Sequence, residues 1–320
     1  MKSGFSEIVL ISGNSNVELS KEISKILNIE LCKADIHKFS DGEISVRIDD
    51  SVRGKDVFVL QASNPPVNDN LMEMLIIIDA LKRASAGRIN VVCSYYGYAR
   101  QDRKDKPRVP ITAKLVADLI SVAGADRLLT IDLHSDQIMG FFDIPVDRLY
   151  AMPIIEQYII EHSFNLDELV VVAPDVGSVK RSRSLAEKIN VPLAIIDKRR
   201  PKDKDNVVEI MNIIGEVKGK DVIMVDDMAD TAGTLVGGAE MLRSKGAKRI
   251  FAVCTHGLLS SGASQKIADS AIDKLVITNT IPLSEEKKND KIEVVSVAQL
   301  LANAIIRIHE GNSVSVLFKN

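Results

Sequence analysis

Apolar runs of strand length recur along the chain, at Ile8–Ile11, Val57–Leu60, Ile89–Cys93, Leu128–Leu133, Leu169–Ala173, Val222–Val225 and Ile250–Cys254. Several are apolar at nearly every position rather than at alternate ones, which is the pattern of strands covered on both faces. Segments of helical periodicity lie between them. Strands alternating with helices predict an α/β chain with mainly parallel central sheets flanked by helices.

The pattern also repeats. Ser20-Lys-Glu-Ile-Ser-Lys-Ile-Leu-Asn28 lines up with Ser182-Arg-Ser-Leu-Ala-Glu-Lys-Ile-Asn190, and each leads into an expected strand, Ile29–Ala34 and Val191–Ile196. Gly54-Lys-Asp-Val57 matches Gly219-Lys-Asp-Val222, and Gly87–Cys93 matches Lys248–Cys254 in the same order. Two copies of one α/β unit are therefore expected, joined near Pro145–Pro153, with domains at 1–148 and 149–320 and the last ~20 residues able to pack back on the first.

Composition narrows the function. The chain has 320 residues, 46% hydrophobic and 27% charged, enough for two cores. A net charge of -3 points to neither nucleic acid nor membrane as the main partner. With 4% aromatic residues and no Trp, a base-stacking platform has little to build on. No signal peptide or membrane-spanning run is read. Three widely spaced cysteines, Cys32, Cys93 and Cys254, are expected as reduced, buried thiols of a cytoplasmic protein.

The copies differ where ligands bind in open α/β sheets, at the carboxyl ends of strands. The second copy carries Asp226-Asp-Met-Ala-Asp-Thr-Ala-Gly-Thr234, and the first Gln61-Ala-Ser-Asn-Pro-Pro-Val-Asn-Asp-Asn70. Asp230, Thr231, Ala232, Gly233 and Thr234 lead into a helix start, where small residues let N–H groups approach an anion. Asp226 and Asp227 repel that anion and suit sugar hydroxyls, a metal, or both. The plain alternative is that Asp230 and Thr231 only cap the helix.

Three further loops follow apolar strands. Ile195–Asn206 is expected to be a mobile cationic loop, with Lys198 and Arg200 able to stabilise a transferring phosphoryl group and exclude water. Pro174-Asp-Val-Gly-Ser178 offers Asp175 to Mg²⁺ and backbone N–H groups to a diphosphate, though by itself it reads as a turn. Tyr95–Lys104 offers Arg100 and Arg103 to a polyphosphate and Gln101 to a base edge, with Asp102 beside them, though by itself it reads as a basic surface turn. Phe39-Ser-Asp-Gly-Glu43 reads as a hairpin turn, and His134 ends the strand Leu128–Leu133.

Together, Phe39–Glu43, Tyr98–Lys104, Pro110–Ala117, Asp132–Asp147, Pro174–Gly177, Ile195–Pro201 and Asp226–Thr234 closely resemble the class I ribose-phosphate diphosphokinases. The resemblance implies two duplicated phosphoribosyltransferase-like (Rossmann-like) domains. It implies transfer of the β,γ-diphosphoryl group of ATP to the 1-hydroxyl of ribose 5-phosphate, giving phosphoribosyl diphosphate and AMP, with Mg²⁺ required. It assigns Lys198 and Arg200 to the transferring group, and Phe39, Asp41, Glu43, Arg100, Gln101, Asp102 and His134 to ATP. It assigns Asp226, Asp227 and Asp230–Thr234, with Arg200, to ribose 5-phosphate, and His134 and Asp175 to the metal. Hexamers built from dimers, with ADP and phosphate as regulators and Ser313–Phe318 near the regulatory site, are implied too. The chain departs from many members at Ser178 and Val109 and in the length of its Lys202–Asp205 loop. The competing readings are a phosphoribosyltransferase, which shares the Asp226–Thr234 loop, and a non-catalytic associated paralogue, which would be expected to lose catalytic residues or carry insertions, whereas Lys198, Arg200 and an unbroken Asp226–Thr234 are present here.

Overall fold

The structure is a computed structural model that describes residues 7–162, 164–199 and 210–318. The chain forms two compact units. Unit 1 comprises the chain up to Tyr150, Thr280–Pro282 and the stretch from Ser296 on; unit 2 comprises Ala151–Asn279 and Leu283–Val295. The units are thus interleaved, rather than being two continuous halves meeting at residue 148.

Unit 1 runs β1 (Ile8–Ser12), α1 (Val17–Leu27), β2 (Ala34–Lys38), β3 (Ile44–Ile48), β4 (Asp56–Leu60), α2 (Val67–Arg83), β5 (Arg88–Cys93), α3 (Thr112–Ala123), β6 (Arg127–Ile131) and β7 (Val146–Leu149). Unit 2 runs α4 (Met152–Glu161), β8 (Leu169–Ala173), α5 (Val179–Lys188), β9 (Leu193–Arg199), β10 (Ile210–Ile214), β11 (Asp221–Ala229), α6 (Gly233–Ser244), β12 (Arg249–Gly257), α7 (Ala263–Ala268), β13 (Lys274–Thr278) and β14 (Ile292–Val295). The last helix, α8 (Ala298–His309), belongs to unit 1. It buries Leu301, Ala302, Ile305 and Ile308 and lies against α1, which buries Leu19 and Ile23. An apolar stripe on each helix accounts for the return of the chain to unit 1.

The sheets have the order β1-β4-β5-β6-β7 and β10-β9-β8-β11-β12-β13-β14. Within these two sheets the pairings of the described strands are parallel except that of β9 with β10. The central strands β4 and β8 are buried at every position, which explains their unbroken apolar runs.

The duplication appears in the topology, since β1-β4-β5-β6-β7 repeats as β8-β11-β12-β13-β14. The two copies part company after their first helix. In unit 2 the chain pairs as β9 and β10 at the sheet edge. In unit 1 the expected strand Ile29–Ala34 shrinks to one bridge, Leu31 to Leu10. The chain then leaves the sheet as the hairpin β2–β3, whose Ile36, Val46 and Ile48 pack against the core near α2 instead. The strand expected at Leu128–Leu133 ends at Ile131, and Asp132 takes a left-handed backbone (φ 40°). Of the cysteines, Cys93 and Cys254 are buried free thiols and Cys32 is only partly buried. Among the described residues, no helix is long and apolar enough to cross a membrane.

Each copy is latched by the same ion pair. Arg88 donates through Nε and Nη2 to Asp56 at 2.7 and 2.6 Å, and Arg249 grips Asp221 with the same two nitrogens. Asp126 accepts from Ile89 N–H at 2.7 Å, and Asp273 from Ile250 N–H at 2.7 Å. Only in unit 1 does the latch reach the C-terminal helix. Asp56, fully buried, also faces Asn90 Nδ2 and His309 Nδ1, each at 2.8 Å, and Arg88 Nη2 donates to Ile308 C=O at 3.1 Å. Burial pushes the Asp56 carboxyl up, but hydrogen bonds from Arg88 and His309 outweigh it and hold the group below its ordinary value. A depressed folded-state value means stabilisation that is present above the unfolded-state value, near 3.9, and is lost as pH falls through the folded-state one. Asp56→Asn turns an amide N–H₂ toward donors and leaves Arg88 without its counter-charge. It is expected to destabilise by about 3–5 kcal/mol at neutral pH. In denaturant titrations the gap to the parent protein should narrow below about pH 4.

Candidate active site

β8 ends at Ala173 because Pro174 follows and has no N–H to give the ladder. β11 does not stop level with it. Its pairing with β8 ends at Met224 opposite Val172, while its pairing with β12 continues to Ala229 opposite Gly257. Asp226 and Asp227 therefore lie within a strand, on an overhang past β8, not in a loop after Val225 as expected. β9 likewise outruns β8, because antiparallel β10 supplies partners as far as Arg199. Lys198, expected in a mobile loop, thus has its backbone in a strand opposite Met211. Arg200 and the Lys202–Asp205 loop lie outside the described residues. Counting from the level Ala194–Val172–Met224, Asp226 is two residues on, Asp175 three and Lys198 four. All stand beyond the same carboxyl edge, where open α/β sheets bind ligands.

The overhang places two carboxylates side by side. The Asp226 and Asp227 side chains are only 16% and 8% exposed. Asp227 N–H donates to Asp226 Oδ1 at 2.9 Å, and Arg181 Nη1, on α5, lies 3.8 Å from Oδ1 of each carboxylate. Burial pushes Asp226 up to about 7, and the charges of Asp227 and then Asp175 add to it.

The loop after β11 meets the helix start as expected, but not through a cap. Ala232, buried and left-handed (φ 59°), precedes Gly233 with no side-chain cap, and the first turn of α6 holds no acidic residue. The Asp230 carboxylate accepts the Ser260 hydroxyl instead, and Asp230 C=O accepts Ser260 N–H at 3.0 Å. Lys266 Nζ reaches Thr231 C=O at 3.5 Å, so the loop is clamped from the β12–α7 side. Thr231 and Gly233 are exposed and Thr234 half-buried. A small-residue helix start that is uncapped by side chains suits an anion. Asp175 closes a turn in which its Oδ1 accepts Ser178 N–H at 2.9 Å and Ser178 Oγ donates to Asp175 C=O at 2.9 Å. Arg181, Ser260 and Lys266 escaped the sequence reading. The small residues Ser260-Ser-Gly-Ala-Ser264 after an apolar run were the available signal, whereas nothing local marks Arg181.

In unit 1, Phe39, Asp41 and Glu43 form the exposed tip of the β2–β3 hairpin, where Asp41 Oδ1 accepts Glu43 N–H at 3.0 Å and Gly42 takes φ 96°. Arg100 and Gln101 are exposed after β5. Gln101 Oε1 accepts the Thr112 hydroxyl at 2.5 Å, and Asp102 accepts Gln137 Nε2 at 2.7 Å. His134 is exposed just past β6.

Residues 8–124 match the N-terminal domain of ribose phosphate pyrophosphokinase, and residues 198–319 match the phosphoribosyl synthetase-associated domain. Ribose-phosphate pyrophosphokinase of Caldanaerobacter subterraneus subsp. tengcongensis is 60% identical over 97% of this chain and 97% of its own. That of Fusobacterium nucleatum is 54% identical over 98% of this chain and 99% of its own. The crystal structure of phosphoribosylpyrophosphate synthetase from Mycobacterium smegmatis superposes with a TM-score of 0.90 at 44% identity, covering 96% of this chain and 100% of that one. The chain belongs to the ribose-phosphate pyrophosphokinase family.

In this family member the first unit has closed the crevice that the second keeps. Five residues beyond the matched latch aspartates, Asp226 of unit 2 corresponds to buried Gln61 of unit 1. Gln61 Oε1 accepts Ser15 N–H at 3.1 Å, and its Nε2 donates to Glu73 Oε1 at 2.9 Å. Glu73, itself buried, accepts Asn14 N–H at 2.6 Å and Asn14 Nδ2 at 2.8 Å. A built-in carboxylate thus occupies the loop amides after β1.

The raised Asp226 gives a stability signature. A carboxyl raised in the folded state stabilises fully below its unfolded-state value and ceases to do so as pH rises through about 7. Asp226→Asn removes that ionisation. Its thermal midpoint is expected to exceed that of the parent at pH 8 and to converge with it toward pH 5, and melts across that range check the sign.

Proposed function

We propose that the 1-hydroxyl oxygen of ribose 5-phosphate attacks the β-phosphorus of ATP in this protein, breaking the α–β bridge to release AMP and form phosphoribosyl diphosphate. What carries the reading is the shared carboxyl edge of unit 2, where two nearly dry carboxylates on β11 and the Lys198 backbone on β9 flank β8, with a helix start that follows β11. Asp226 and Asp227 accept the ribose hydroxyls, and Asp230–Thr234 hold the 5-phosphate at the α6 start, whose dipole and N–H groups favour it. Lys198 and Arg200 are proposed to supply positive charge to the diphosphoryl group as negative charge builds on its oxygens.

Mg²⁺ is the ion proposed for this edge. Burial raises Asp226, and the charges of Asp227 and then Asp175 add to it, so the edge favours positive charge. Among the described residues no group of three or more His, Cys, Asp or Glu is arranged to hold a metal by itself. The hard oxygen of Asp175 suits this ion, which keeps most of its shell in water and substrate phosphate. Asp175 in unit 2 and His134 in unit 1 are each proposed as a Mg²⁺ ligand, and a bound ion would neutralise the triphosphate and polarise its β-phosphorus. Phe39, Asp41, Glu43, Arg100, Gln101, Asp102 and His134 are proposed for ATP.

The reading extends to assembly and control: a cytoplasmic hexamer built from dimers, with ADP and phosphate as regulators. Phe39, 53% exposed on a hairpin tip, is an apolar surface suited to a neighbouring subunit. Within unit 1, Ser313, Val314 and Ser315 line a cavity of about 570 Å³ with Arg88, Arg127 and Arg148, cationic enough for a phosphate group.

Purified protein given ATP, ribose 5-phosphate and Mg²⁺ is expected to release AMP. Turnover of phosphoribosyl diphosphate with a free base, and none with ATP, would favour a phosphoribosyltransferase; silence in both assays at saturating substrate would favour the non-catalytic paralogue. Lys198→Ala is expected to lower kcat by roughly 10²-fold or more with little change in KM, because its partner charge develops in the transition state. A loss confined to KM would remove Lys198 from that role.

A further inference from the structure

We infer that Arg181 is the positioning residue of this site: it supplies the charge that keeps Asp226 and Asp227 available as hydrogen-bond acceptors for a sugar diol. The inference rests on the reading that this pair takes the ribose hydroxyls. Arg181 stands in the first turn of α5, directly after the Asp175 turn, with its side chain 22% exposed. One guanidinium nitrogen is equidistant, at 3.8 Å, from an oxygen of each carboxylate. That separation is too long for a hydrogen bond and short enough for charge attraction. The guanidinium thus offsets the two negative charges without occupying the lone pairs that hydroxyls would use. A direct bidentate grip, like that of Arg249 on Asp221, would occupy them.

The internal duplication supplies an independent observation. The matched helices align Ser20 with Ser182, so Leu19 is the counterpart of Arg181, just as Gln61 is the counterpart of Asp226. Leu19 and Gln61 line one small cavity in unit 1 and are both buried. Where the acid has become a neutral amide, the cation has become an aliphatic side chain. The two positions have changed together, as expected if the arginine is there for the carboxylates and not for the helix or the sheet, which both copies retain.

The test titrates ribose 5-phosphate into the whole protein by calorimetry, without ATP, and measures steady-state constants in parallel. Arg181→Gln is expected to weaken ribose 5-phosphate binding and raise its KM by at least about tenfold, with the KM for ATP within about twofold of the parent. Arg181→Lys, which restores a point charge, is expected to recover most of the loss. Arg181→Gln binding the sugar phosphate within twofold of the parent would overturn the inference. So would an equal loss for both substrates, or a Lys variant as weak as the Gln one. Asp227→Asn in the same titration separates the two levels. If it also binds normally, the assignment of the carboxylates is at fault; if it alone loses binding, only the role of Arg181 is.

Discussion

Two adjacent carboxylates held almost out of water at the end of β11 are the constraint around which the second unit is arranged. Desolvation and mutual repulsion both oppose their ionisation, as the raised Asp226 records. Nothing in the folding of an α/β unit calls for such a pair, and unit 1 folds with Gln61 at the matching position. The unfavourable pair is tolerated because positive charge is arranged around it: Arg181 from α5 and the α6 helix start beyond Ala232.

The two units show how one architecture carries two electrostatic designs. Both keep the Asp–Arg latch at the amino end of the sheet and the Asp126 or Asp273 brace beside it. These hold the strands in register and say nothing about ligands. At the other end of the sheet, unit 2 presents acids, a cation and a helix start without a side-chain cap. Unit 1 presents Leu19, Gln61 and the Glu73 carboxylate, which occupies its own loop amides. The hairpins diverge in the same way. In unit 2 the strand pair stays in the sheet and extends the edge on which Lys198 lies, whereas in unit 1 it leaves the sheet and exposes Phe39 at its tip.

Much of this was legible in the residues. Unbroken apolar runs determine buried strands through local periodicity, and the repeat of Gly-Lys-Asp-Val and Arg-Ile segments determined the duplication. The Asp226–Thr234 stretch stood out because its acids and small residues make little sense as packing. The family followed from those segments in order, and the matches over residues 8–124 and 198–319 agree.

Tertiary structure decided what depends on neighbours distant in the chain. A strand's end is set by whether the next strand still offers hydrogen bonds, so β12 carried Asp226 and Asp227 into the sheet and β10 did the same for Lys198. One partner of Asp230 is Ser260, thirty residues away, which no local spacing announced. The return of α8 to unit 1 rests on apolar contact with α1 and on His309 reaching Asp56. Arg181 reads in the sequence as one more surface cation on a basic helix. Only the packing of α5 beside β11 brings it between two carboxylates, because electrostatic partnership depends on distance in space and leaves no periodic mark along the chain.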